Sequence, residues 1–101
     1  MRVIRSIARV VIPPKELIYW DTLQQYVGNP ATYDLAEPVH TLMTFCQAQH
    51  FLCLDLTPNF LKDTRAGAEL YFRQDAHLNA TGYQVMAQLI AQYLRDQNLQ
   101  P

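Results

Sequence analysis

Asp75 and His77 stand two positions apart in the stretch YFRQDAHLNATGYQVMAQLIAQYL, residues 71 to 94, just ahead of an amphipathic run. An imidazole titrates near neutrality and can take up and return a proton; a carboxylate on its other ring nitrogen selects the tautomer and steadies the imidazolium that forms. In a turned loop the two can share one direction. Together they would make the acid-base half of a hydroxyl-activating site. The ordinary alternative is an aspartate that caps a turn beside a solvated histidine, and a lone D-x-H by itself favours that alternative. Asn79 and Gly82 follow at fixed offsets: an asparagine oxygen can accept from the first free amides of a helix, and a glycine lets that helix approach the sheet where a side chain would collide.

Such a loop needs a scaffold to hold it. The stretch from Ile7 to Ile12 is apolar and β-branched and stops at Pro13 and Pro14, as a short buried strand running into a loop would. KELIYWDTLQQYV then reads as a helix, with Leu17, Ile18, Leu23, Tyr26 and Val27 at roughly helical spacing and Gly28-Asn29 as its stop. Glu37-Pro38 opens a second helix with Val39, Leu42, Met43 and Cys46 as its buried stripe. FLCLDL, residues 51 to 56, has the continuous apolar pattern of a parallel strand covered on both faces. Thr57 is placed as the N-cap of a short helix reaching about Lys62, and a loop around Gly67 follows. The last helix is the clearest: Gly82, Val85, Met86, Leu89, Ile90, Tyr93 and Leu94 repeat at three and four residues, with Asn79 as its cap. Alternating strands and helices predict an α/β layer structure with parallel strands.

The totals agree with one small domain. The chain has 101 residues, 50% of them hydrophobic and 17% charged, and a formal net charge of -1. Nothing in that balance draws it toward nucleic acid or anionic lipid. Arg2, Arg5 and Arg9 cluster early without the apolar run of a secretory signal, and no stretch approaches the ~20 apolar residues of a membrane span. Cys46 and Cys53 lie among apolar neighbours and read as free, buried thiols in preference to a disulfide. They and the three histidines, His40, His50 and His77, match no zinc spacing, so neither a metal nor any other cofactor is expected.

The run from LCLDLTP through LYFRQDAHLNATGYQVMAQLIAQYL resembles the C-terminal catalytic block of the SGNH, or GDSL-like, hydrolases, above all the branch of cell-envelope polysaccharide O-acetyltransferases. In that branch the block reads D-x-H-x-N-x-x-G, here Asp75, His77, Asn79 and Gly82. RVVIPPKELIYWDTL is similar to the family's strand and loop in which an apolar run is followed by Pro-Lys and an aromatic. The likeness spans about Ala8 to Leu94. It implies a partial three-layer α/β/α fold, flavodoxin-like, with a small parallel sheet and a closing C-terminal helix, the N-terminal half of the domain missing; 1–101 would be a single incomplete domain. It also implies that His77 is the general base of a Ser-His-Asp triad, that Asp75 orients it, and that Asn79 and Gly82 are structural. Lys15 would line the site by the resemblance, whereas the residues alone give a solvated loop lysine.

Family members carry the nucleophilic serine in a Gly-Asp-Ser block nearer the N-terminus, with a glycine and an asparagine as further oxyanion donors. Here the single serine is Ser6, with no Gly-Asp before it. The expectation is therefore a triad fragment of an ester hydrolase or O-acyltransferase, inactive alone, acting on acyl esters or acetylated carbohydrate when an N-terminal partner chain completes it. An uncovered sheet edge predicts self-association. The alternative is a non-catalytic module that holds a carbohydrate or a protein through Tyr19, Trp20, Tyr26 and Tyr33. Core packing is the simpler role for those aromatics. Compartment stays open, because envelope members are exported and this chain shows no export signal of its own.

Overall fold

The computed structural model describes residues 8–26 and 34–98. Two strands, β1 (Ala8–Val11) and β2 (Leu52–Asp55), pair in parallel with Ala8 opposite Leu52 and Val11 opposite Asp55. The amide of Leu56 extends the ladder by one bond to the carbonyl of Val11. Parallel strands need a crossover, and helices supply it. Ser6, Ile7 and the Gly28-Asn29 stop lie outside the described residues.

The single helix expected after the prolines is broken. It forms α1 (Lys15–Ile18) and α2 (Trp20–Leu23), then one 3-10 turn over Gln24–Tyr26. Tyr19 leaves helical geometry between them, with φ -102° and ψ 21°. Ile18, Tyr19 and Trp20 are three weak helix formers in a row, and the Tyr19 ring is packed edge-on against Tyr71, so tertiary contact overrides the periodicity.

Helix α3 (Glu37–Ala48) carries Pro38 in its first turn, as expected. Its stripe is only partly covered: Val39 and Cys46 are buried, Met43 is half-buried and Leu42 is 51% exposed. Cys46 and Cys53 form a disulfide that ties the end of α3 to β2, which corrects the reading of two free thiols. Each cysteine looked inert in its own apolar surroundings; proximity came from the tight return at His50 (φ 58°), which the sequence does not announce.

Strand β2 is half-buried along its length and not sealed on both faces, because among the described residues the sheet has two strands. Helix α4 (Thr57–Arg65) runs a little further than expected. Its cap is not Thr57, whose hydroxyl is buried without a hydrogen-bond partner among the described residues. The Asp55 carboxylate accepts from the Thr57 amide at 2.9 Å and starts the helix. Helix α5 (Ala80–Asp96) closes the fold.

The core gathers between α1, α4 and the segment entering α5. Leu56, Phe60 and Leu70 are fully buried, with Ile18, Tyr71 and Leu78 beside them and Val85, Met86 and Leu89 of α5 packed against the group. Full burial of one such side chain stabilises by roughly 1.5–3 kcal/mol. No helix among the described residues is long and apolar enough to cross a membrane.

Candidate active site

The loop from Phe72 to His77 hangs between two fixed points. At its base Tyr71 and Leu78 form an antiparallel bridge, and the Phe72 amide donates to the His77 carbonyl at 3.0 Å. Both bridge residues are buried, at 3% and 4% exposure, so the apolar side chains anchor the polar loop between them. The Tyr71 hydroxyl donates to the Pro13 carbonyl at 2.7 Å, and its ring meets Tyr19 and Phe60 edge-on. Burial, with smaller contributions from Tyr19 and Glu16, pushes this phenol well above its ordinary range; it stays a neutral donor.

Asn79 does more than cap. Its Oδ1 accepts from the Gly82 amide at 2.8 Å, as the sequence predicts, while Nδ2 donates to the carbonyls of Glu69 at 2.9 Å and Tyr71 at 3.2 Å. One side chain thus starts α5 and satisfies the strand-like segment that leads into the loop. Gly82 is needed for close approach: a Cβ there would stand 2.0 Å from the Leu70 carbonyl oxygen. The obstruction is that segment's backbone, not the β1–β2 sheet.

Above this base Asp75 turns back on His77. Asp75 Oδ1 accepts from the His77 amide at 2.8 Å and lies 3.3 Å from His77 Nδ1. The amide bond is the firmer of the two, since 3.3 Å is at the long edge for a nitrogen donor; such contacts often tighten only when substrate is bound. The turn-capping reading and the imidazole-orienting reading therefore coexist, on the same oxygen. The pair stands in water, with side chains 56% and 79% exposed. The His77 amide is the chief reason that the Asp75 carboxyl sits below its ordinary value of 3.8; desolvation opposes it, and the His77 side chain and the Lys15 charge add smaller lowering contributions. With Nδ1 facing the carboxylate, Nε2 is the nitrogen left to meet a reacting group.

Lys15 is neither a free loop lysine nor simply a lining residue. Its ammonium reaches across from α1 to the carbonyls of Phe72, Arg73 and Asp75. Beside it a cavity of about 350 Å³ is bordered by Tyr19, Tyr71, Phe72 and the Arg73–Glu69 pair. Arg73 binds Glu69 through two parallel bonds of 3.0 and 3.1 Å, which lowers the Glu69 carboxyl and raises the guanidinium. Both side chains are mostly solvated, so this pair adds little stability. His40 and His50 are exposed and remote in sequence, and no group of three or more His, Cys, Asp or Glu among the described residues could hold a metal.

Sequence reasoning singled out Asp75, His77, Asn79 and Gly82, which the structure places in one loop and helix start, and missed the Tyr71–Pro13 bond and the amide donors of Asn79. The signal for the first was weak: a tyrosine in the apolar pair Leu70-Tyr71 and a proline carbonyl left over at a strand end. A family model described as the SGNH hydrolase-like domain of acetyltransferase AlgX matches residues 5–101. No curated protein and no solved structure matches the chain.

Proposed function

The chain belongs to the family of the SGNH hydrolase-like domain of acetyltransferase AlgX, and from that premise we propose that it contributes the histidine and aspartate of an acyl-transfer site. The observation that carries this reading is the shared oxygen of Asp75, which holds both the amide and the Nδ1 side of His77 and leaves Nε2 outward. In the proposed reaction Nε2 takes the proton of a serine hydroxyl as its oxygen bonds the acyl carbon. The imidazolium then returns that proton to the departing alcohol as the ester bond breaks, while Asp75 stays ionised throughout. Water or a sugar hydroxyl finishes the cycle by taking the acyl group, with His77 again as base.

This chain's single serine, Ser6, has no Gly-Asp before it, so the nucleophile and oxyanion donors of the proposed site come from another segment or chain. Among the described residues nothing pairs with the outer edge of β1, which leaves room for strands that would bring them. The substrate class is an acetyl ester, which the family's description as an acetyltransferase supports; the resemblance to the envelope branch adds a carbohydrate as its carrier. The Cys46–Cys53 disulfide fits the oxidising surroundings of exported proteins.

The interaction-module reading draws less support. Tyr19 is committed to the core against Tyr71, Tyr26 is exposed by itself at the end of the 3-10 turn, and Tyr33 lies outside the described residues. The test is reconstitution: the chain mixed with a polypeptide carrying the Gly-Asp-Ser block, assayed for acetyl-ester cleavage. Removal of the base in His77→Ala should cost at least about 100-fold in rate. Activity that survives that substitution would overturn the reading. Carbohydrate binding that fades in Trp20→Ala and ignores His77→Ala would favour the module instead.

A further inference from the structure

The Lys15 ammonium lies among three carbonyl oxygens of one short loop, Phe72 at 2.5 Å, Arg73 at 3.0 Å and Asp75 at 3.1 Å. An ammonium has three N–H donors and no acceptor, so these three bonds use all of them. No donor remains for a substrate. Three carbonyl dipoles from four consecutive residues repel one another unless a donor sits among them, and each bond to a cation is stronger than one between neutral groups. The lysine is itself held close by: it opens α1 just after the two prolines, and the Pro13 carbonyl takes the Tyr71 hydroxyl at the loop's base. Asp75 is consequently tied at both ends, its carbonyl to Lys15 and its carboxylate to His77.

We infer that Lys15 is a positioning residue, a cationic core around which the 72–75 backbone wraps so that the Asp75 carboxylate is presented to His77. Its value to catalysis rests on the acyl-transfer reading above; the clamp itself rests on the three contacts alone. The two can fail separately, because the clamp is read out without any reaction. A lysine suits the position where arginine does not: a compact point charge with rotatable donors fits three converging oxygens, and a planar fork does not.

The experiment is NMR on the full 101-residue chain, which has two lysines, Lys15 and Lys62. Lys62 lies exposed on α4 and serves as the internal control. The ammonium protons of Lys15 should exchange with water at least about tenfold more slowly than those of Lys62. Equal exchange overturns the proposal in the unaltered protein, with no dependence on any variant folding. In Lys15→Met the carbonyl carbons of Phe72, Arg73 and Asp75 should shift together and the His77 amide should exchange about tenfold faster. Unchanged loop signals would again overturn it. Lys15→Cys treated with bromoethylamine restores an ammonium at nearly the same reach, and with Cys46 and Cys53 joined to each other the introduced thiol alone is alkylated. Recovery of the His77 amide after alkylation is expected; a purely structural role for the methylene stem would need no charge and would show no recovery specific to the amine. In the reconstituted assay Lys15→Met should lower kcat more than it raises KM.

Discussion

The two ends of the molecule are held by different means. On one side the segment from Leu70 to Gly82 is closed by a bridge, a buried tyrosine, a three-bond lysine and an asparagine that serves two backbones, with Leu70, Tyr71 and Leu78 at 0–4% exposure beneath them. On the other, α3 has Leu42 and Phe45 more than half exposed and is fastened to β2 chiefly by a disulfide, with the Phe51 ring under the Arg9 guanidinium and edge-on to Phe45. Where the chain must present a defined side chain it uses many weak, directional bonds that fix orientation. Where it must only keep a helix on a two-stranded sheet, one covalent link is enough.

The sharpest way to break the first region is Gly82→Ala. A Cβ placed 2.0 Å from the Leu70 oxygen meets backbone that cannot swing aside, so α5 must move or the loop's base must open. Destabilisation of about 3 kcal/mol or more is expected by urea unfolding, together with loss of the His77 amide protection. The second region breaks by reduction. Opening the Cys46–Cys53 link should cost about 2–3 kcal/mol, and hydrogen exchange should show α3 amides losing protection while those around Leu70 and Leu78 keep theirs. A uniform loss would mean that the two regions unfold as one.

The contrast also explains which parts were legible in the sequence. Asn79 could be read because capping is a local rule, acting within one turn of the helix it starts, whereas the Leu70 carbonyl that requires glycine at 82 lies on a segment the motif does not name. The D-x-H turn is local too. The Lys15 clamp and the Tyr71–Pro13 bond join residues 57 to 60 positions apart, and no periodicity encodes which carbonyls a loop will leave facing a distant ammonium. The first helix misled for the same reason: its apolar spacing is helical, yet Tyr19 has a better partner in Tyr71 than in its own helix. The disulfide was hidden by the return at His50, a left-handed residue that is neither glycine nor asparagine.

Asn79→Ala separates capping from bridging. It removes the acceptor of the Gly82 amide and two donors to Glu69 and Tyr71 at once, so the loss should reach about 2 kcal/mol, beyond the ~1 kcal/mol of an ordinary cap. Asn79→Asp keeps the acceptor but turns its second carboxylate oxygen toward the Glu69 and Tyr71 carbonyls, acceptor against acceptor, so its denaturation midpoint should lie well below the parent's. An aspartate variant as stable as the parent would mean that the residue acts as a cap alone.

The smallest effect is the most specific to the site. The Asp75 carboxyl is held below its ordinary 3.8, chiefly by the His77 amide, so its bond to that amide is fully present above the ordinary value. It is lost as pH falls through the lowered one. Below 3.8 the His77 amide shift should move while signals from Leu56 and Phe60 hold still. Glu69 is lowered as well and would protonate in the same window, so the titration belongs in a Glu69→Gln background, where that carboxylate is gone. Asp75→Asn removes the ionisable group and should abolish the movement. A His77 amide that shifts identically in both backgrounds is not bonded to Asp75, and the loop would then be ordered by Lys15 and the Tyr71–Leu78 bridge alone.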